Sequence, residues 1–173
     1  MPGLRGLVMA AAAMLLAACA SFDGRGLVPG QSTESQVVAQ MGPPAQARPL
    51  PGGGKALYFS HLPEGRAVFV ATIGPDGLLQ SIEQRLTREN IGKLVADQST
   101  AEDVRALFGP PGAVGYLPLK PREWWEYKYY DYQDRRILWV QFSPDDGIVR
   151  EVLDMRDWSY EVPTLPGMMA APR

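Results

Sequence analysis

The sequence has one cysteine, Cys19, and one histidine, His61, among its 173 residues. A single cysteine excludes an internal disulfide, so stability has to come from a packed core. A lone histidine, with no cysteine or acidic cluster at ligand spacing, excludes a zinc site. Nucleophilic catalysis needs a serine, cysteine or threonine beside a base, and His61 adjoins the Pro63-Glu64-Gly65 turn, where it reads as a surface residue. The acidic pair Asp145-Asp146 falls in a turn, where solvation accounts for it. Neither a P-loop nor a G-x-G-x-x-G motif is present. Basic runs are missing too: 17 Lys and Arg stand against 19 Asp and Glu, a net charge of −2. Nucleic acid and a polybasic membrane patch both need clustered positive charge to neutralise phosphate. The expectation is therefore a protein that is not an enzyme, with no catalytic residue, metal, cofactor, small-molecule substrate or nucleic-acid partner.

Long hydrophobic runs are absent as well. The longest, residues 7–18, is about a dozen residues, too short to span a bilayer and of the right length for a signal-peptide core. Arg5 is the only charge ahead of it, so its removal leaves 16 basic against 19 acidic residues, a net charge of −3. The run ends in Leu16-Ala17-Ala18-Cys19, which resembles a bacterial lipobox. That resemblance implies a signal peptide at residues 1–18, cleavage before Cys19, and lipid on its sulfur and new amine. An ordinary secretory leader or a buried core cysteine is the alternative. Three acyl chains exceed what stable anchoring requires. With Ala20 rather than Asp after the cysteine, sorting resemblance implies the periplasmic face of the outer membrane. Residues 19–30, Gly-rich and poor in apolar residues, read as the lipidated cysteine and a flexible tether. The eleven tether residues reach at most about 35 Å when extended.

What is present is a stretch written twice. Gln31-Ser32-Thr33-Glu34-Ser35-Gln36-Val37 leads to Gly42-Pro43-Pro44, and Gln98-Ser99-Thr100-Ala101-Glu102-Asp103-Val104 leads to Gly109-Pro110-Pro111. The offset is 67 residues with no gap, the length of a folded unit rather than a solenoid turn. Thr33 and Thr100 are N-cap candidates, and Gln36 and Asp103 stand three residues on, where a capping box wants them. Val37 with Met41, and Val104 with Leu107 and Phe108, form one apolar stripe at helical spacing. Gly42 and Gly109 sit where a left-handed C-cap is wanted, and the prolines behind them forbid continuation. Each copy is thus a helix of about two turns, which must dock on something to be stable. Residues 87–93 allow one further helical turn.

After each helix comes a Pro-containing loop, either a contact surface or a connector, and then strand patterns. The first unit, residues 31–86, offers strands over 56–60, 66–73 and 78–86, with a hairpin turn at Gly74-Pro75-Asp76-Gly77. The second, residues 87–160, offers 123–132, 136–142 and 148–158, with Ser143-Pro144-Asp145-Asp146-Gly147 echoing that turn at an offset near 70. The expected fold class is α+β: two tandem units, each with short helices packed on a three-stranded antiparallel sheet. Residues 161–173, with three prolines and no period, read as a disordered tail.

Period 2 over residues 123–132 puts Trp125, Tyr127 and Tyr129 on one face and Trp124, Glu126, Lys128 and Tyr130 on the other. The first is the expected core face. The second mixes aromatic and charged groups, as protein interfaces do. Trp124, Tyr130 and Tyr132 are the candidate partner-binding residues, burial of both faces by the other unit or the tail being the alternative.

In their order, the lipobox, the Gln-Ser-Thr helix start, the Gly-Pro-Pro stop, the aromatic strand and the Asp-Gly turn resemble the SmpA/OmlA (BamE-type) outer-membrane lipoprotein domain. That domain has a pair of helices on a three-stranded antiparallel sheet, and this chain carries two copies. The tandem arrangement is similar to the β-lactamase inhibitory protein fold. The first resemblance implies a non-enzymatic scaffold in outer-membrane assembly or envelope integrity, anchored to the membrane by its N-terminal lipid and bound to envelope proteins such as the β-barrel assembly machinery. The second implies an inhibitor-type binder of a periplasmic enzyme. Binding residues of neither family match here residue by residue, so none is carried over.

Overall fold

The computed structural model describes residues 22–160, with the backbone alone at Tyr160. The expected signal peptide, Cys19 and the expected tail at 161–173 lie outside the described residues. Among the described residues the chain divides into two compact units, one of residues 22–60 and 69–84, the other of His61–Val68 and residues 85–160. The segment His61–Val68, expected within the first unit, thus belongs to the second.

In the first unit, helix α1 (Glu34–Met41) precedes strands β1 (Gln46–Pro49), β2 (Lys55–Ser60), β3 (Val68–Ile73) and β4 (Leu79–Gln84). The strands form one antiparallel sheet in the order β1-β2-β3-β4. The helix starts where the sequence says it should. Thr33 Oγ1 accepts from the Gln36 N–H at 3.3 Å, and Gln36 Oε1 accepts from the Thr33 N–H at 2.8 Å. Val37 and Met41 then bury against Leu57, Phe59, Ala71, Ile73 and Leu79 of the sheet.

The second unit repeats this plan. After a short helix α2 (Arg88–Ile91), capped by Thr87, come α3 (Ala101–Phe108) and strands β5 (Ala113–Leu117), β6 (Arg122–Asp131), β7 (Asp134–Phe142) and β8 (Val149–Arg156). The sheet order is β5-β6-β7-β8, all antiparallel. Thr100 Oγ1 accepts from the Asp103 N–H at 3.2 Å, and Asp103 Oδ2 accepts from the Thr100 N–H at 2.8 Å. Val104 and Phe108 are buried, as are Trp125, Tyr127, Tyr129, Leu138, Val140, Phe142 and Val149. Phe108 tilts against Tyr127 at 5.5 Å, and the Tyr127 hydroxyl donates to the Gly109 carbonyl at 3.0 Å. Burial raises the Tyr127 hydroxyl well above the ordinary tyrosine pKa, which keeps it a donor.

The duplication extends to individual hydrogen bonds. Thr33 bridges Leu78, and Thr100 bridges Ile148. The Leu79 N–H donates to the Ser32 carbonyl, as the Val149 N–H does to that of Ser99. The Leu78 N–H donates to Asp76 and the Ile148 N–H to Asp146, so the two Asp-Gly turns share this side-chain bond, although the second turn is one residue longer. Even the register shift recurs, at Thr72/Ile73 and at Gln141/Phe142.

Two corrections follow. Each sheet has four strands, not three, and among the described residues α-helix is confined to three short segments, so the protein is mostly β rather than α+β. The added strands, β1 and β5, lie inside the segments expected to be loops. Both are edge strands, and an edge tolerates the terminal Pro49 because one of its sides has no partner to receive a donor. The described part of the expected tether, residues 22–30, is also not free. Phe22 meets Phe69 edge-to-face at 5.5 Å, Leu27 packs on the α1 core, and the Gly30 N–H donates to the Leu79 carbonyl at 2.7 Å. Two well-spaced apolar side chains suffice to dock an otherwise Gly-rich segment.

Candidate partner-binding surface

Strand β6 alternates as expected: Trp125, Tyr127 and Tyr129 are buried, while Trp124, Glu126 and Lys128 are part-exposed and Tyr130 is half exposed. The three candidate residues nevertheless do not share one patch. Trp124 stands six positions before Tyr130, about 20 Å along an extended strand.

Trp124 is engaged by its own sheet. Its indole stacks on Trp139, with centroids 4.9 Å apart and planes 14° from parallel. On the β5 side it lies over Gly115, where an added Cβ would come 2.2 Å from the ring. The Trp139 indole N–H donates to Glu126 Oε2 at 2.8 Å. This end of the face is therefore ordered before any partner arrives.

Tyr130 and Tyr132 lie at the other end. Asp131 pairs with Asp134, so Tyr132 and Gln133 make a two-residue hairpin loop. Tyr132 has φ of 55° and is 98% exposed. A bulky residue in the left-handed region is a genuine outlier, and this one has no burial to compensate for it. The neighbouring Tyr130 ring has the Arg66 guanidinium 5.6 Å from its centroid. Arg66 is itself buried and ion-paired with Asp157, and its Nη1 donates to the Arg136 carbonyl at 3.3 Å. Beyond Asp157 comes Trp158, largely exposed, with the Arg156 guanidinium 5.1 Å from its ring. The hairpin end thus carries Tyr130, Tyr132 and Arg66, while Arg156 and Trp158 pair at the end of β8.

Beneath this end, Arg136 Nε donates to Asp154 Oδ1 at 2.7 Å, and Arg88 reaches Asp131 at 2.8 Å. Burial, reinforced by the nearby Asp154 carboxylate, pushes the Tyr129 hydroxyl up to about 12. Trp158 and Arg66 were not singled out from the sequence. Trp158 closes the last strand pattern, and Arg66 finds Asp157 only across 91 positions.

His61 is exposed, as expected. Among the described residues no group of three or more His, Cys, Asp and Glu could hold a metal ion, and no helix is long and apolar enough to cross a membrane.

No family model matches the chain, and no curated protein matches it. Among solved structures it is similar to a DUF4309 family protein, YjgB, from Bacillus subtilis subsp. subtilis str. 168. The two are 21% identical over 77% of this chain and 84% of that one, with a TM-score of 0.29. A score that low carries no argument about fold or function.

Proposed function

We propose that this chain is a non-enzymatic, lipid-anchored protein-binding scaffold on the periplasmic face of the outer membrane, serving outer-membrane assembly or envelope integrity. The observation that carries the reading is Tyr132, fully exposed at positive φ on a hairpin tip two residues after the half-exposed Tyr130. Strained, exposed residues persist where function holds them, and Tyr, Trp and Arg are the residues that concentrate binding energy at protein interfaces.

The lipobox supports the anchor. Phe22, docked on Phe69, follows Cys19 by three residues, a reach of about 10 Å. A lipid on Cys19 would therefore hold the first unit close to the membrane surface, not at the end of a long tether.

The test is in-cell photocrosslinking from position 132, followed by identification of what is captured. Recovery of envelope proteins such as subunits of the β-barrel assembly machinery is the expected result. Recovery of one soluble periplasmic enzyme instead, inhibited at stoichiometric amounts, overturns the scaffold reading in favour of an inhibitor. The anchor is tested separately: a Cys19→Ala form should leave the membrane fraction, and its retention there would contradict lipidation.

A further inference from the structure

The two sheets have four edges, β1, β4, β5 and β8. Exposed edges present unpaired backbone groups, and proteins blunt them with charge or proline. Strand β1 (Gln46–Pro49) carries Arg48 and closes on Pro49, β4 (Leu79–Gln84) carries Glu83, and β8 (Val149–Arg156) carries Arg150, Glu151, Asp154 and Arg156. Strand β5 reads Ala113-Val114-Gly115-Tyr116-Leu117, with neither charge nor proline. Among the described residues it pairs with β6 alone. Its two outward side chains, Val114 at 60% and Tyr116 at 54% exposed, stand on one face. The duplication makes the contrast pointed, because β1 is the same element in the other unit and it is protected.

We propose that a second copy of this chain pairs with β5, antiparallel and two-fold symmetric about Gly115, joining two second-unit sheets into one. Of the registers available, this one matches all five residues of β5 with all five of its symmetry mate. Val114 then faces Tyr116 of the partner subunit, and Tyr116 faces Val114 of the partner subunit. Aromatic against β-branched is a favourable cross-strand pair, and the symmetry provides it twice. Charge never meets like charge, since the strand has none. At the axis Gly115 adds no side chain. The Trp124 indole that lies over it provides the apolar cover, and the stack on Trp139 already holds that indole in place. The chain's own residues 161–173 fit this edge poorly, because Pro163, Pro166 and Pro172 each lack a ladder donor.

The register is tested by sedimentation velocity on the full-length chain, purified as its host makes it, over a range of concentrations. The unmodified chain should show a monomer–dimer equilibrium. Val114→Lys with Tyr116→Lys sets like charges opposite each other across the axis and should weaken the dimer about tenfold or more. Val114→Lys with Tyr116→Glu makes as many apolar-to-charged changes but sets opposite charges face to face, and it should keep the dimer. A chain that stays monomeric throughout, or two double variants that associate alike, overturns the proposal. Hydrogen exchange on the unmodified chain gives a reading that needs no variant. Amides within residues 113–117 should gain protection as concentration rises, and unchanged exchange overturns the proposal equally. Capture of an unrelated extended peptide by a monomeric chain would also overturn it, reassigning the edge to a foreign strand.

Discussion

Arg66 and Asp157 form an ion pair that is buried on both sides, although 91 positions separate them in the sequence. Asp157 also accepts from the backbone and hydroxyl of Ser159, and its own N–H donates to the Arg135 carbonyl at 2.9 Å. Burial pushes the Asp157 carboxyl up, but Ser159 and Arg66 outweigh it and hold the group below the ordinary carboxylate range. The pair fixes His61–Val68 to the end of β8, which is why that segment belongs to the second unit.

Removing one partner leaves the other charge buried, at a cost of about 3–5 kcal/mol, whereas replacing both with apolar residues of similar volume is close to neutral. Asp157→Leu should therefore lower the urea midpoint sharply. Arg66→Met with Asp157→Leu should recover most of the loss. A double variant destabilised by the sum of the two single losses would show that the two groups do not depend on each other.

The two capping boxes differ in one chemical respect. Gln36 closes the first and cannot titrate, while Asp103 closes the second, its carboxyl held low chiefly by the Thr100 backbone bond and then by the Thr100 hydroxyl. A depressed folded-state pKa stabilises above the unfolded value, about 3.9, and that stability is lost as pH falls through the folded value. Below about pH 4 the α3 cap should weaken while the α1 cap does not. Thr100→Ala should cost about 1 kcal/mol at neutral pH, and Asp103→Asn should flatten part of the acid slope in a pH series of thermal midpoints. An unchanged slope would remove Asp103 from the acid response.

Much of this was legible because the signals are local. Thr33, Gln36, Thr100 and Asp103 announce caps within four residues, Gly42 and Gly109 announce stops, and the period-2 pattern of residues 123–132 correctly buries Trp125, Tyr127 and Tyr129. The rest depends on partners far away. Strands β1 and β5 are strands because β2 and β6 stand beside them, and their own residues read as loop. Phe22 finds Phe69 and Arg66 finds Asp157 over distances that no spacing rule reaches. Trp124 shows how a correct face assignment falls short of a site. It points away from the core as expected, yet Trp139 and Gly115 occupy its ring.

The helix stops are stricter than the expected left-handed caps. Gly42 has φ, ψ of 85°, −174° and Gly109 of 71°, −156°, positive φ with an extended ψ. That region is essentially closed to residues with a Cβ and costs them about 1–3 kcal/mol. Gly109→Ala and Gly42→Ala should each destabilise by that amount in urea titrations. Glycine-to-alanine changes at compatible positions have the opposite sign, so a rise in midpoint would contradict this geometry.

Tyr132 separates stability from binding. Its left-handed φ is unfavourable for a residue with a Cβ by about 1–2 kcal/mol, and at 98% exposed its ring has no packing to lose. Tyr132→Gly should therefore leave the thermal midpoint unchanged or raise it. If the hairpin end is the contact surface, the same substitution should abolish capture of envelope partners in affinity purification from membranes. Trp158→Ala should act in the same direction, since Trp158 is exposed with Tyr132 and its ring lies against Arg156. Trp124→Ala, about 20 Å along β6, should cost stability through the lost stack on Trp139 and spare the capture. The informative result is this crossed pattern: binding lost with stability kept at position 132, stability lost with binding kept at position 124. Retained capture by Tyr132→Gly would leave the strained tip without the role assigned to it and move the search for the interface elsewhere on the chain.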